Sequence, residues 1–419
     1  MSEKLTRFSK MRNPEKRLLD FIQEHIHIVF LVLISAVAIG ARYAGWEFVS
    51  RDATRFLLPW HEAISIRGWS ALSEQIGNYG MPYQLLILTG TYLPISPLSW
   101  YKLTSTGFDF LLSIQIYILT QRLTSNKTTA AIAYSVSMIL LPTTILNSSV
   151  WAQCDSIYTC FIIASLNCLL VKRTRLSFFF LGIALSFKLQ ACFILPFYIY
   201  WYFTQRSYSL SMFLWTLLGF YLLSIPGIIC GRSILDPLKI YFAQTTISDA
   251  MYFNYPSFWV FVGNDPSTLK ATAIFFTIAL LLAGYYITLS QHSPHGSQEP
   301  HLFLIQIATW SAWTCIEFLP TMHERYGYLV TILLFVCYLS EKNRKTQINT
   351  LFCCIITLIS DCIIYGNYLF GLDVELAPLS IALFVAWVVF SYTLLSGRNK
   401  KIAPITKTTS SELNSLLQK

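Results

Sequence analysis

"MPYQLLILTGTYLPI", residues 81–95, decides how the chain is threaded. The stretch is apolar, but it holds only fifteen residues, with Pro82 at one end and Pro94 at the other. A helix that crosses a bilayer needs about 20 apolar residues, and shorter runs belong to interfacial or re-entrant segments. Its neighbours argue the same way. With the basic N-terminus inside, a crossing at 81–95 would put Arg122, Lys127 and the basic loops at 172–175 and 342–345 outside, and Asp155 inside. Cytoplasmic loops are the ones that carry Lys and Arg. The segment is therefore expected to stay in the outer half of the membrane.

The composition sets the class. The 419 residues are 54% hydrophobic and only 12% charged, against about 25% charged in a soluble domain. Candidate spans fall at 26–45, 99–121, 128–146, 155–171, 176–188, 190–204, 209–228, 269–290, 301–319, 326–340, 347–366 and 377–396. The expected fold is an all-α polytopic membrane bundle of about 12 spans, within about 11–13. Residues 1–25 form a cytoplasmic basic N-terminus, 26–396 a single transmembrane domain, and 397–419 a cytoplasmic tail. A large first external loop, 46–98, carries Trp46, Trp60 and Trp69, which suit helices lying at the interface. A second external loop spans 229–268 and includes Asp236, Asp249 and Asp265.

The net charge of +9 does not mark a nucleic-acid partner. Lys4, Arg7, Lys10, Arg12, Lys16, Arg17 and the loop Lys172-Arg173-Thr174-Arg175 follow the positive-inside pattern, not a basic face. The ten cysteines have neither zinc-site nor disulfide-framework spacing.

Between two apolar runs lies "NSSVWAQCDSIYTC", residues 147–160. Charge inside a membrane is costly and is by default a functional candidate. Asp52, Asp155, Lys188, His323, Glu324 and Arg325 all fall at external ends of spans, where they would form a polar cavity. Moving a sugar from a lipid phosphate to a hydroxyl needs a carboxylate to take the hydroxyl proton, with Asp52 the candidate. It also needs cations at the departing phosphate, with Lys188, Arg325 and His323 the candidates. Asp155 and Gln153 would orient Lys188, the acceptor or the donor sugar.

Other readings of the same residues stay open. Asp155 can be a helix N-cap, Arg51 and Asp52 an interfacial ion pair, Lys188 a snorkelling side chain, and "HERY" a loop salt bridge. Asp109 and Asp361 lie inside spans and are unassigned. They leave room for a lipid or sugar transporter or flippase, which would call for charged or broken helices at the midplane; no break is evident. A non-catalytic membrane subunit of a polysaccharide-synthesis complex is a third reading.

The ordered blocks "RDATRFLLPWHEAI…IGNYGMPY", "VWAQCDSIY", "GIALSFKLQACFILPF" and "MHERYGY", over residues 45 to 340, resemble the bacterial mannosyltransferases related to GPI mannosyltransferase II, in the GT-C superfamily of polytopic glycosyltransferases. The resemblance implies an inverting enzyme of the bacterial plasma membrane, active on its non-cytoplasmic face. Its donor would be a polyprenyl-phosphate sugar, the co-substrate, and its acceptor a cell-envelope glycan or lipid-linked acceptor. A donor synthase and a flippase would be partners. Asp52 matches the family's first-loop catalytic acid, Asp155 its "QCDS" carboxylate, Lys188 and Gln190 its "KLQ", and His323, Glu324 and Arg325 its "HER". Glu324 and Gln190 are placed with the substrate-positioning residues. Many superfamily members pair two acids in the first loop, whereas Asp52 here stands between Arg51 and Ala53. No bound divalent metal and no cofactor beyond the lipid donor are therefore expected. The sugar is left unnamed.

Overall fold

The computed structural model describes residues 14–246, 250–290 and 300–396. Lys4, Arg7, Lys10 and Arg12 of the expected cytoplasmic N-terminus, Asp249 and the tail 397–419 lie outside the described residues. Helices make up 80% of the structure, with no β-strand among the described residues. Among the described residues, five helices are long and apolar enough to cross a membrane: Ile26–Tyr43, Pro97–Thr124, Pro266–Ser290, Arg344–Phe370 and Leu376–Ser396. A sixth candidate is broken in two, Lys127–Leu140 and Pro142–Val150, bent by 55°. The fold is that of an all-α, multi-pass membrane protein. The runs at 155–171, 176–188, 209–228 and 326–340 are helical too, but shorter: Asp155–Leu170, Thr174–Phe187, Leu210–Leu222 and Tyr328–Ser340. At a rise of about 1.5 Å per residue, the 14 residues of Thr174–Phe187 fall short of a hydrocarbon core of about 30 Å.

The 81–95 stretch forms the 11-residue helix Met81–Thr91, about half the length a crossing needs. Pro82 sits in its first turn, where a missing N–H costs nothing, and Tyr83, Gln84, Ile87 and Leu88 are buried. The Gln84 amide donates to the carbonyls of Ala71 at 2.7 Å and Glu74 at 3.0 Å. Arg232 reaches the Gln84 side-chain oxygen at 3.0 Å and the Leu72 carbonyl at 3.1 Å. The segment 229–268 is thereby fastened to the segment 46–98.

The stretch 128–146 is not the straight span the sequence reading expects. Proline at 142 removes one helix hydrogen bond and collides with the preceding turn, so the helix stops at Leu140. The Thr144 hydroxyl donates to the freed carbonyls of Ser137 at 2.9 Å and Leu141 at 2.8 Å. Non-helical backbone at membrane depth survives only where it is buried in protein or lines a cavity. Asn147, Ser148 and Ser149 beyond the break have no exposed surface.

Two buried cations tie this core together. Arg42, in the last turn of Ile26–Tyr43, donates to Asp109 Oδ2 at 2.8 and 3.1 Å and to the Met138 carbonyl at 2.9 Å. Ser148 donates to the same Asp109 oxygen at 2.5 Å. Asp109 is thus the counter-ion of Arg42, and Asp361 accepts from the Thr331 hydroxyl at 2.6 Å. Lys102, fully buried on Pro97–Thr124, donates to three carbonyls, Gly45 at 2.9 Å and Trp46 and Phe48 at 2.7 Å. It fixes the loop that leads to Asp52.

Small residues allow a close crossing of Thr174–Phe187 against Phe213–Leu222. A Cβ on Gly182 would lie 2.1 Å from the Thr216 carbonyl oxygen, and one on Gly219 would lie 2.2 Å from that of Phe179. Helices in lipid associate through such contacts because no hydrophobic force drives them together. Gly182→Ala should cost about 1–3 kcal/mol as an overpacking change, and Gly182→Leu should lose the monodisperse peak in detergent size-exclusion chromatography. Wild-type elution and melting for Gly182→Leu would disprove the crossing.

Candidate functional site

Residues far apart in the chain converge on one cavity of about 430 Å³. Asp52, Gln153, Lys188, Gln190, His323, Glu324 and Arg325 all line it. Of the predicted site residues only Asp155 does not; it lies directly behind the wall with no exposed surface.

Asp52 lies at the start of the helical stretch that follows Ile26–Tyr43 and is 8% exposed. Ser50 prepares its position, donating to the Trp151 carbonyl at 3.1 Å and accepting from the Ala53 N–H at 3.1 Å. Asp52 Oδ2 accepts from Trp151 Nε1 at 2.9 Å and Gln153 Nε2 at 2.8 Å, and Oδ1 accepts from the Tyr368 hydroxyl at 2.5 Å. The ion pair with Arg51 that the sequence left open is therefore not what holds this carboxylate. Tyr79 donates to Gln153 Oε1 at 2.7 Å. Burial pushes the Tyr79 hydroxyl well above its ordinary range, so it remains a donor and turns the Gln153 amide with its NH₂ toward Asp52.

The second half of the site is a buried charge network. Lys188 sits in an extended residue (φ −153°, ψ 135°) between the helix Thr174–Phe187 and the 3₁₀ turn Leu189–Ile194. Its ammonium pairs with Asp155 Oδ1 and lies 5.4 Å from the Tyr79 ring centroid and 5.7 Å from that of Tyr158. Gly80 makes room, since a Cβ there would fall 1.9 Å from the Ser186 carbonyl oxygen. Asp155 Oδ2 accepts from Asn147 at 2.9 Å and stands 3.6 Å from Arg325 Nε. Asp155 begins its helix, but its oxygens serve side chains and not backbone N–H groups, which replaces the N-cap reading. Lys188 is 4% exposed, which removes the snorkelling reading and leaves its ammonium committed to Asp155.

Arg325 pairs with Glu324 at 2.9 Å and lies over the Trp151 ring at 5.5 Å. Its Nη2 is 3.5 Å from the Tyr79 hydroxyl, so Tyr79 links the two halves of the site. His323 stacks on Phe253, with centroids 4.4 Å apart and planes at 13°, and its Nδ1 stands 3.8 Å from Glu324 Oε2. Burial works to raise the Glu324 carboxyl, but His323 and Arg325 outweigh it and hold that carboxyl below its usual range. "HERY" is thus a salt bridge and also a cavity wall.

Asp52 accepts from three uncharged donors and has no second carboxylate beside it. Calcium takes six to eight oxygens, several of them from carboxylates, which Asp52 alone does not supply, whereas magnesium is held by one or two carboxylates together with substrate phosphates. Among the described residues no group of three His, Cys, Asp or Glu side chains is placed to hold a metal.

The sequence reading missed Tyr79, Asn147, Phe253 and Tyr368. Tyr79 stands in the quoted "IGNYGMPY". Tyr368 carries no sequence signal, because an aromatic residue in an apolar helix is indistinguishable from core. No protein-family model matches the chain, and no curated protein sequence matches it.

Two outcomes test this geometry. Lys188→Ala removes the nearer of the two cations beside the buried Asp155, leaving only Arg325 at 3.6 Å, and should destabilise the fold by up to about 3–5 kcal/mol, whereas Lys188→Met with Asp155→Leu should recover most of that loss. Thermal melts followed by tryptophan fluorescence decide it, and a single variant as stable as wild type would remove the ion pair. The second outcome concerns pH. Since the folded-state value of Glu324 is depressed, its contribution is complete above the ordinary carboxylate range and fades as pH falls through the depressed value. The melting difference between wild type and Glu324→Gln should stay constant from pH 7 to about 5 and shrink only in stronger acid; a difference that shrinks between pH 7 and 6 would exclude this assignment.

Proposed function

We propose that the chain is a membrane-embedded inverting glycosyltransferase of the GT-C type, with about 12 membrane segments counted from apolar runs. It moves a sugar from a polyprenyl-phosphate donor to a hydroxyl of a cell-envelope glycan or lipid-linked acceptor, on the non-cytoplasmic face of the plasma membrane. The observation that carries this reading is a nearly buried carboxylate, Asp52, in a polar cavity that also presents Arg325 and His323. In the proposed step the acceptor oxygen bonds to the anomeric carbon on the face opposite the phosphate. Its proton passes to Asp52, and the phosphate leaves with the electron pair of the broken bond. Arg325 and His323 stabilise the departing oxygens. Lys188 acts indirectly, compensating Asp155 so that Arg325 and the loop around it keep their place. The short helices Leu58–Arg67 and Met81–Thr91 within the first external loop suit a lateral entry for the lipid. A donor synthase and a flippase would supply the substrate. The broken helix Lys127–Val150 is a feature that a transporter reading calls for, but Asp109 adds little to that reading, its charge being matched by Arg42.

Purified protein in detergent, given a panel of polyprenyl-phosphate sugars and membrane glycan extract, tests the reading through release of polyprenyl phosphate. Asp52→Asn should release it roughly 10²–10⁴-fold more slowly, the usual contribution of a general base, while melting like wild type. A chelator should leave the wild-type rate unchanged. Equal release by the variant would take Asp52 out of the chemistry, and a strict requirement for Mg²⁺ or Mn²⁺ would refute the metal-free mechanism.

A further inference from the structure

We propose that Tyr368, on a helix beyond the part of the chain that carries the family resemblance, is a positioning residue that selects which oxygen of Asp52 takes the proton. The proposal rests on Asp52 being the base. A carboxylate has about four lone-pair directions, two on each oxygen. Trp151 and Gln153 occupy both directions on Oδ2, and Tyr368 occupies one on Oδ1. The direction left free belongs to Oδ1, in a residue that lines the cavity.

Tyr368 is held firmly enough for this role. It lies in the last turn of Arg344–Phe370, which ends on Gly371 at φ 71°, a left-handed conformation that glycine adopts without steric cost. Its ring stacks on Trp151 with centroids 4.6 Å apart and planes at 25°. Tyr365, on the preceding turn, meets the same indole edge-on at 5.2 Å. Trp151 therefore fixes the Tyr368 ring on one side and donates its N–H to Asp52 on the other. With both oxygens anchored the carboxylate cannot pivot, and the free lone pair keeps one heading. During transfer the acceptor proton arrives at Oδ1, the new carbon–oxygen bond forms, the phosphate departs with its electron pair, and Tyr368 keeps its own proton throughout. Without the Tyr368 hydroxyl the group hangs on Oδ2 alone and its reactive oxygen wanders.

Tyr368→Phe tests the idea, because it keeps the ring and the Trp151 stack and removes only the hydroxyl. The turnover number for polyprenyl phosphate release should fall roughly 10- to 100-fold, the range covered by one hydrogen bond to a charged group, with the donor KM unchanged. A role limited to packing predicts wild-type turnover, and that result would overturn the proposal. So would a raised KM at unchanged kcat. A second measurement needs no activity: modification of Asp52 by a water-soluble carbodiimide, followed by mass spectrometry of the intact full-length protein. Asp52 in Tyr368→Phe should react several-fold faster than in wild type, and equal rates would overturn the proposal whatever the turnover. Faster labelling in a protein that turns over no donor would sink the glycosyltransferase reading and leave the Tyr368 contact standing.

Discussion

Asp155 holds a carboxylate with no exposed surface, and much of the cavity is arranged around that fact. An ionised group taken out of water costs several kcal/mol unless opposite charge and hydrogen-bond donors surround it. Lys188, Asn147 and Arg325 supply them from three separate stretches of chain. Each partner is in turn constrained. Lys188 is delivered by a break between two short helices, Asn147 by the segment beyond Pro142, and Arg325 by the turn between His301–Phe318 and Tyr328–Ser340. A charge that is expensive to bury thus becomes the point on which three irregular segments must agree.

The same reasoning explains why the broken backbone is concentrated here. Apolar helices in lipid satisfy their own peptide groups, and departures are tolerated only inside protein or beside water. The extended Lys188 and the turn at His323 both interrupt helices at the cavity wall, and the segment beyond the break at Pro142 brings Asn147 to Asp155 behind that wall. Lys102 performs a related task at the end of the first helix, where carbonyls without helical partners need donors. By collecting three of them it sets the start of the stretch that presents Asp52 to Trp151 and Gln153.

Much of this was legible in the chain. The short, proline-bounded segment at 81–95 reads as non-crossing and forms an 11-residue helix. The boundary expected between the runs 176–188 and 190–204 falls at Lys188, where Thr174–Phe187 gives way to the turn Leu189–Ile194. Of Asp52, Asp155, Lys188, His323, Glu324 and Arg325, expected together around one cavity, all but Asp155 line it, and Asp155 lies behind its wall. What failed was the finer assignment of each charge. Capping and snorkelling were reasonable for Asp155 and Lys188 taken singly, since each sits at a helix end. Their mutual pairing spans 33 residues and no local pattern encodes it.

Composition and spacing by themselves determined the class: apolar runs too numerous and too poorly charged for a soluble core, with most charged residues between those runs. These are local quantities, read one segment at a time. Only the tertiary structure decided which polar group answers which. Tyr368 reaches Asp52 across 316 residues, and Arg42 finds Asp109 across 67, because buried charge and hydrogen-bonding groups must be matched in space. Sequence distance has no bearing on that matching.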